Sequence, residues 1–124
     1  MTILIIDDSI FFRKKLKKAI YNMDIAILVV EESNYEAGEI AFSQFHPDLV
    51  ILEMELQAIS GIKLLQQIKS TSPFTVVAIF TNFSSVEYKV NCIENGADYF
   101  FDKCKNYKEL LGLIRTQAQL YELE

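Results

Sequence analysis

The chain has 124 residues, 51% of them hydrophobic, which is enough for one domain with its own core and excludes a disordered protein. The net charge of −5 disfavours general binding to nucleic acid, although residues 11–20 hold five basic side chains and no acidic one. No apolar run approaches the roughly 20 residues of a membrane span, and the short apolar start is not typical of a signal peptide. The two cysteines match no disulfide or metal spacing, which favours free thiols in the cytoplasm.

Five apolar runs, which predict strands, alternate with segments of helical periodicity. The runs cover residues 3–6, 27–30, 49–52, 76–80 and 99–101. The residues expected to face inward are Phe12, Leu16, Ala19, Ile20 and Met23 in the first helix, Ala37, Ile40, Ala41 and Phe45 in the second, Ile62, Leu65 and Ile68 in the third, Val86, Val90 and Ile93 in the fourth, and Leu110, Leu111, Ile114 and Ala118 in the fifth. Ser9 is predicted to cap the start of the first helix, and Asn95-Gly96 the end of the fourth.

This alternation predicts an α/β fold. Continuously apolar strands indicate a sheet covered on both faces, and right-handed crossovers then give a doubly wound parallel sheet in three layers. A (β/α)8 barrel needs about twice the length. Asp7-Asp8 stands where a dinucleotide-binding fold needs a glycine-rich turn. We expect residues 1–124 to form a single domain.

Polar side chains follow four of the predicted strands. They are Asp7, Asp8, Glu53, Thr81 and Lys103. Because the carboxyl ends of parallel strands meet at one edge of a sheet, we expect these groups to lie close together. Three carboxylates, a hydroxyl and an ammonium suit a divalent cation and a phosphoryl group.

Over nearly its whole length the sequence resembles the receiver domain of two-component response regulators. Asp7-Asp8 matches the acidic pair of that family, and Glu53 stands at its phosphoacceptor position, with Gly61 eight residues later. Thr81 and Lys103 match the residues that close the fourth and fifth strands. The resemblance implies a flavodoxin-like five-stranded parallel sheet in the order 2-1-3-4-5 with five helices.

The resemblance also implies roles for individual residues. Asp7, Asp8, Glu53 and Glu55, the last through its backbone carbonyl, would hold Mg²⁺. Thr81 and Lys103 would bind phosphoryl oxygens, and Phe100 occupies the place of a switch aromatic. A histidine kinase or another signalling protein would be the partner, and the last two helices with strand five would form a homodimer or partner face. We expect a cytoplasmic protein without direct contacts to nucleic acid or membranes.

Glu53 departs from the family, which has aspartate at this position. The extra methylene moves the carboxylate about 1.5 Å further, roughly one bond length. In-line attack needs the reacting atoms to be held near 3–3.5 Å, so we expect no phosphorylation of the ordinary kind. Glu53 could instead bond permanently to Thr81 and Lys103 and imitate the activated state, or it could simply inactivate the site. Both readings stay open on the sequence.

Three further positions depart from the family. Gln57-Ala58 replaces the usual Pro-Gly, Asn82 replaces a small residue, and Cys104 replaces a proline that often follows a cis bond. A cis bond before a residue other than proline costs about 2.5–4 kcal/mol, so we expect a trans bond and a shifted loop at Cys104.

These observations favour an atypical receiver domain that acts through protein–protein contacts, binds Mg²⁺ weakly and is not an enzyme. No output domain is visible in the sequence. One alternative is a conventional receiver that accepts a phosphoryl group despite Glu53. Another is a Mg²⁺-dependent phosphohydrolase, although 124 residues leave little room for a substrate pocket and a cap.

Overall fold

A computed structural model describes residues 1–123 as a five-stranded parallel sheet with helices on both faces. The strands are β1 (Thr2–Ile6), β2 (Leu28–Glu32), β3 (Leu49–Leu52), β4 (Glu55–Leu56), β5 (Ile59–Ser60), β6 (Val76–Thr81) and β7 (Tyr99–Asp102), of which β4 and β5 form a separate hairpin. The helices are α1 (Ile10–Tyr21), α2 (Tyr35–Phe45), α3 (Ile62–Thr71), α4 (Val86–Glu94) and α5 (Tyr107–Glu122). The sheet order β2-β1-β3-β6-β7 is the predicted 2-1-3-4-5 order of the five long strands, which confirms the fold class.

The sheet separates two hydrophobic cores. Ile3 and Ile5 of β1 face the core beneath α1 and α5, whereas Leu4 and Ile6 face the core beneath α2, α3 and α4. Successive side chains of a strand point to opposite faces, so a strand between two cores is apolar at every position. This arrangement leaves polar residues only at the strand ends and brings Asp7, at the end of β1, to the edge that carries the site.

The predicted ends of α1 and α4 are confirmed. The Ser9 side chain accepts a hydrogen bond from the N–H of Phe12 at 3.2 Å and so satisfies one of the free donors at the start of α1. Asn95 ends α4, and Gly96 follows it with a φ of 112°, a conformation that favours glycine.

The predicted inward face is wrong at Ile40 and Phe45 of α2, although Ala41 is buried as expected, and it is wrong at all three residues of α4. In α2, Ile40 is 61% exposed and Phe45 is 39% exposed, while Gly38 and Ala41 are buried. Helix α2 approaches β1 so closely that a Cβ at position 38 would lie 2.6 Å from Cδ1 of Ile6. This close contact places the small residues against the sheet and turns the larger ones outward.

In α4, the predicted inward residues Val86, Val90 and Ile93 are 77%, 46% and 43% exposed. The buried residue of this helix is Cys92, which packs into the core beneath α2, α3 and α4. Burial raises the pKa of its thiol to about 11, so it stays protonated at neutral pH. Periodicity indicated an apolar stripe correctly but could not tell whether that stripe faces the core or the solvent.

Within residues 1–123, both cysteines are free, and no helix is long and apolar enough to cross a membrane. Cys92 is buried, as stated, and Cys104 is exposed.

A short hairpin between β3 and α3 was not predicted, and it delays the start of α3 from about Ser60 to Ile62. Strand β4 pairs with β5 through a two-residue turn in which Gln57 and Ala58 have φ values of 51° and 64°. Two left-handed residues in succession are typical of a type I′ turn, which normally contains asparagine and glycine.

Ala58→Gly is therefore expected to raise the free energy of unfolding by about 1 kcal/mol, because glycine adopts a positive φ without the clash of a Cβ. Chemical denaturation measures the change. The control is Ala19→Gly in the middle of α1, which should lower the same quantity by about 1 kcal/mol. If Ala58→Gly also lowered it, the left-handed turn would not be the native conformation.

Candidate functional site

Asp7 and Asp8, adjacent in sequence, occupy different environments. Asp7 is 3% exposed, and its Oδ1 accepts a hydrogen bond from the N–H of Ser9 at 2.9 Å. Its Oδ2 lies 2.7 Å from the ammonium of Lys103, and its carbonyl accepts a hydrogen bond from Arg13 at 2.6 Å. Asp8 is exposed. The acidic pair thus supplies one buried carboxylate to the site.

Lys103 is a buried cation, with 3% of its side chain exposed. Its Nζ pairs with Asp7 at 2.7 Å and with Oε1 of Glu53 at 3.1 Å. The same Nζ lies 4.6 Å from the ring centre of Phe12 and 5.8 Å from that of Phe80, close enough for cation–π attraction. Two carboxylates and two aromatic faces thus replace the water that a buried ammonium loses.

Glu53, directly after β3, is 5% exposed and fixed at four atoms. Its N–H donates to the carbonyl of Ile6 at 3.0 Å, and its own carbonyl accepts from the hydroxyl of Tyr35 at 2.7 Å. In the carboxylate, Oε1 faces Lys103, and Oε2 accepts a weak hydrogen bond from the N–H of Glu55 at 3.4 Å. The side chain is therefore held inside the pocket.

Two tyrosines reach the site from neighbouring helices. Tyr88 of α4 donates a hydrogen bond to Oε1 of Glu55 at 3.0 Å, and Tyr35 of α2 donates to the backbone of Glu53. Burial raises the pKa of Tyr35, and the charge of Glu53 raises it further. Burial and the hydrogen bond to Glu55 raise the pKa of Tyr88. Both hydroxyls stay protonated at neutral pH and can serve as donors.

Thr81 ends β6 and is completely buried. Its hydroxyl accepts a hydrogen bond from the N–H of Phe83 at 3.2 Å. Within residues 1–123, no hydrogen bond joins Thr81 to Glu53. Phe100 of β7 is half-buried, and its ring centre lies 6.3 Å from that of Tyr88.

The peptide bond between Lys103 and Cys104, just after β7, is trans as expected, since residues 1–123 contain no cis peptide bond. The carboxylate of Asp102 shapes this segment by accepting hydrogen bonds from the N–H groups of Cys104 at 2.7 Å and Lys105 at 3.0 Å. A hydrogen bond from the Ser84 side chain, together with these two, lowers the pKa of Asp102.

The four expected metal ligands differ in their surroundings. Asp7 and Glu53 meet at the ammonium of Lys103, and Asp8 is exposed. Glu55 was expected to act through its backbone carbonyl, and its side chain accepts a hydrogen bond from Tyr88. Over residues 1–123, no three Asp, Glu, His or Cys side chains form a group that could hold a metal ion. Mg²⁺ requires near-octahedral oxygen ligation, and the ammonium lies between the two buried carboxylates. The residues as arranged do not fit this ion.

The sequence did not reveal which aromatic residues contact the charged groups of the site. Tyr35, Tyr88 and Phe12 all lie on helices, where an aromatic residue is first interpreted as core. No sequence signal marks Tyr35 or Tyr88, because the atoms they contact lie 18 and 33 positions away. The position of Phe12 beside Lys103 follows from the start of α1 directly after Asp7, which the sequence does show.

The sequence is similar to several curated proteins. It is 32% identical over 118 residues to a cyclic di-GMP phosphodiesterase of Thermotoga maritima, covering 95% of this chain and 31% of that protein. It is 27% identical to the nitrate/nitrite response regulator NarL of Escherichia coli, covering 94% and 54%. It is 26% identical to the chemotaxis protein CheY of Listeria monocytogenes, covering 96% and 99%. The chain thus spans about a third of the first relative, half of the second and nearly all of the third.

The fold is similar to solved structures at low sequence identity. A two-component response regulator from Clostridium difficile superposes with a TM-score of 0.86 at 22% identity, covering 96% of each chain. The BeF3-activated receiver domain of RstA from Klebsiella pneumoniae superposes with a TM-score of 0.84 at 20% identity, covering 95% of this chain and 98% of the other. The sequence model of the response regulator receiver domain family matches residues 3–115 of this chain. The chain therefore belongs to the response regulator receiver domain family.

Proposed function

We propose that this receiver domain transmits signals through protein contacts without the standard phosphorylation of an aspartate. Receiver domains interact with histidine kinases and effector domains. The observation that carries the proposal is Glu53, which occupies the acceptor position and is held by the ammonium of Lys103 at 3.1 Å. In this proposal residues 1–124 form a single receiver domain that acts in the cytoplasm.

The geometry of the pocket supports the loss of acceptor chemistry. The longer side chain of Glu53 carries its carboxylate to Lys103 and the N–H of Glu55, which are donors that a transferred phosphoryl group would need. A nucleophile displaced by about one bond length is poorly placed for in-line attack.

Between imitation of the active state and plain loss of phosphoryl acceptance, we infer plain loss. Imitation requires Glu53 to reach both Lys103 and Thr81. The contact to Lys103 is present, whereas within residues 1–123 no hydrogen bond joins Thr81 to Glu53. Signalling then depends on which partner binds, and the acceptor site serves as a fixed structural element.

The partner surface of this proposal is the α4 face, which we define as Val86, Val90 and Ile93 of α4 with Tyr99 of β7. The three α4 residues share one side of the helix, and Tyr99 is 41% exposed on the adjacent strand. An exposed apolar patch of this kind is typical of a protein–protein interface. A second copy or a signalling protein would dock here.

The test is intact mass spectrometry after incubation with acetyl phosphate and Mg²⁺. Wild type is expected to gain no mass, because its acceptor is displaced and engaged. Glu53→Asp shortens the side chain by about 1.5 Å, withdraws the carboxylate from Lys103 and is expected to gain one phosphoryl group. Glu53→Gln is the matched control without a carboxylate and should gain none.

A phosphoryl adduct on wild type that disappeared in Glu53→Gln would contradict the proposal and support the conventional receiver. Turnover of a generic phosphoester in the same samples would support the phosphohydrolase instead.

A further inference from the structure

We propose that Lys103 is the built-in cation of this site, taking the structural place of a divalent metal, so that the native fold is independent of Mg²⁺. This inference concerns the same site as the proposed function. It rests on that proposal in one respect, because it takes Glu53 to remain an unphosphorylated carboxylate in the pocket.

Each oxygen of the two buried carboxylates has a hydrogen-bond or ion-pair partner without a metal. Asp7 receives the N–H of Ser9 at Oδ1 and Lys103 at Oδ2. Glu53 receives Lys103 at Oε1 and the N–H of Glu55 at Oε2. Over residues 1–123, no buried side-chain nitrogen or oxygen lacks a partner. A metal placed between the two carboxylates would therefore compete with the ammonium of Lys103 for Oδ2 of Asp7 and Oε1 of Glu53.

Lys103 cannot easily yield its position. Its backbone N–H donates to the carbonyl of Thr81 at 2.9 Å, which fixes the start of the side chain. The rings of Phe12 and Phe80 flank the ammonium at 4.6 and 5.8 Å. Moving the ammonium away would forfeit two ion pairs and two cation–π contacts within a water-poor pocket, where electrostatic interactions are strongest.

The two remaining acids make no ion pair with Lys103 within residues 1–123. Asp8 is exposed, and the carboxylate of Glu55 is held by the hydroxyl of Tyr88 at 3.0 Å. The extra methylene of Glu53 explains the arrangement, because it lets this carboxylate reach an ammonium that also touches Asp7. The same substitution that displaces the acceptor thus supplies the second anion for Lys103.

The test is thermal unfolding, followed by circular dichroism, with and without about 10 mM Mg²⁺. The wild-type Tm is expected to rise by less than about 1 °C, because nothing in the native state gains a ligand. Lys103→Met leaves two buried carboxylates without a cation, and its Tm is expected to rise by about 4 °C or more as Mg²⁺ takes the vacated place. Lys105→Met, an exposed neighbour, is the matched control and should show no Mg²⁺ response.

Three results would overturn the inference. The first is a wild-type Tm that rises by about 4 °C or more with Mg²⁺. The second is a folded Lys103→Met that ignores Mg²⁺, and the third is a Lys103→Met that stays unfolded even with Mg²⁺, since in both cases a metal cannot replace the lysine. Recovery of the folded spectrum on adding Mg²⁺ would support it. Failure of the proposed function has a separate signature, a phosphoryl adduct on wild type.

Discussion

Asp7→Ala is expected to lower the free energy of unfolding by about 3 kcal/mol. The variant removes one of the two carboxylates that neutralise a lysine whose side chain is 3% exposed, and it also leaves the N–H of Ser9 without its acceptor. Breaking a buried ion pair at one partner costs about 3–5 kcal/mol, and Glu53 still compensates part of the charge on Lys103. Urea denaturation followed by circular dichroism measures the loss.

Asp8→Ala is the matched control, since it removes the same side chain one position further along the chain. Asp8 is exposed, so its replacement should leave the urea midpoint nearly unchanged. Equal losses for the two variants would contradict the assignment of Asp7 alone to the buried pocket. A loss that vanished in Mg²⁺-free buffer would show that a bound metal, and not Lys103, depends on Asp7.

The sequence predicts the sheet and the edge that carries the site because both depend on strands buried on two faces. Residues 49–52 admit no polar side chain within the sheet, so Glu53 marks the end of β3 without ambiguity. The same reasoning places Asp7 at the end of β1 and Lys103 just past β7. Because the strands are parallel, these residues must then meet at one edge of the sheet.

The sequence does not show which partner each polar side chain contacts. The carboxylates of Asp7 and Glu53 were expected to meet at a metal, with a bond from Glu53 to Lys103 as one open alternative, and in the structure both contact Lys103. The periodicity of the strands does not report which of these contacts forms. The contacts of Tyr35 and Tyr88 could not be predicted either, because a tyrosine on a helix gives no sign of the atom, far away in sequence, that its hydroxyl contacts.

The exposed faces of the helices show a second limit of prediction from the sequence. Helix α4 carries Val86, Val90 and Ile93 at a spacing that predicts one apolar side, and the structure confirms that they share a side. The residue of α4 that faces the core is Cys92, so the apolar side of the helix remains at the surface. An apolar stripe is therefore evidence of a buried contact, which either the chain itself or a partner provides.

Val90→Glu is accordingly expected to weaken self-association of the chain at least tenfold, about 1.4 kcal/mol. Val90 is 46% exposed between Val86 and Ile93, near the centre of the α4 face, where truncated or charged residues have the largest effect on binding. A carboxylate placed there would lose its water on association without gaining a partner. Sedimentation velocity over a micromolar concentration series measures the change in the dissociation constant.

The matched control is Ile40→Glu on α2, which adds the same charge at a branched apolar residue that is 61% exposed outside the α4 face. We expect its sedimentation to equal that of wild type, because general repulsion between acidic chains would affect both variants alike. Equal weakening in the two variants would show that net charge, and not the α4 face, governs association. A wild type that stays monomeric throughout the series would contradict the homodimer and leave the α4 face to a different protein partner.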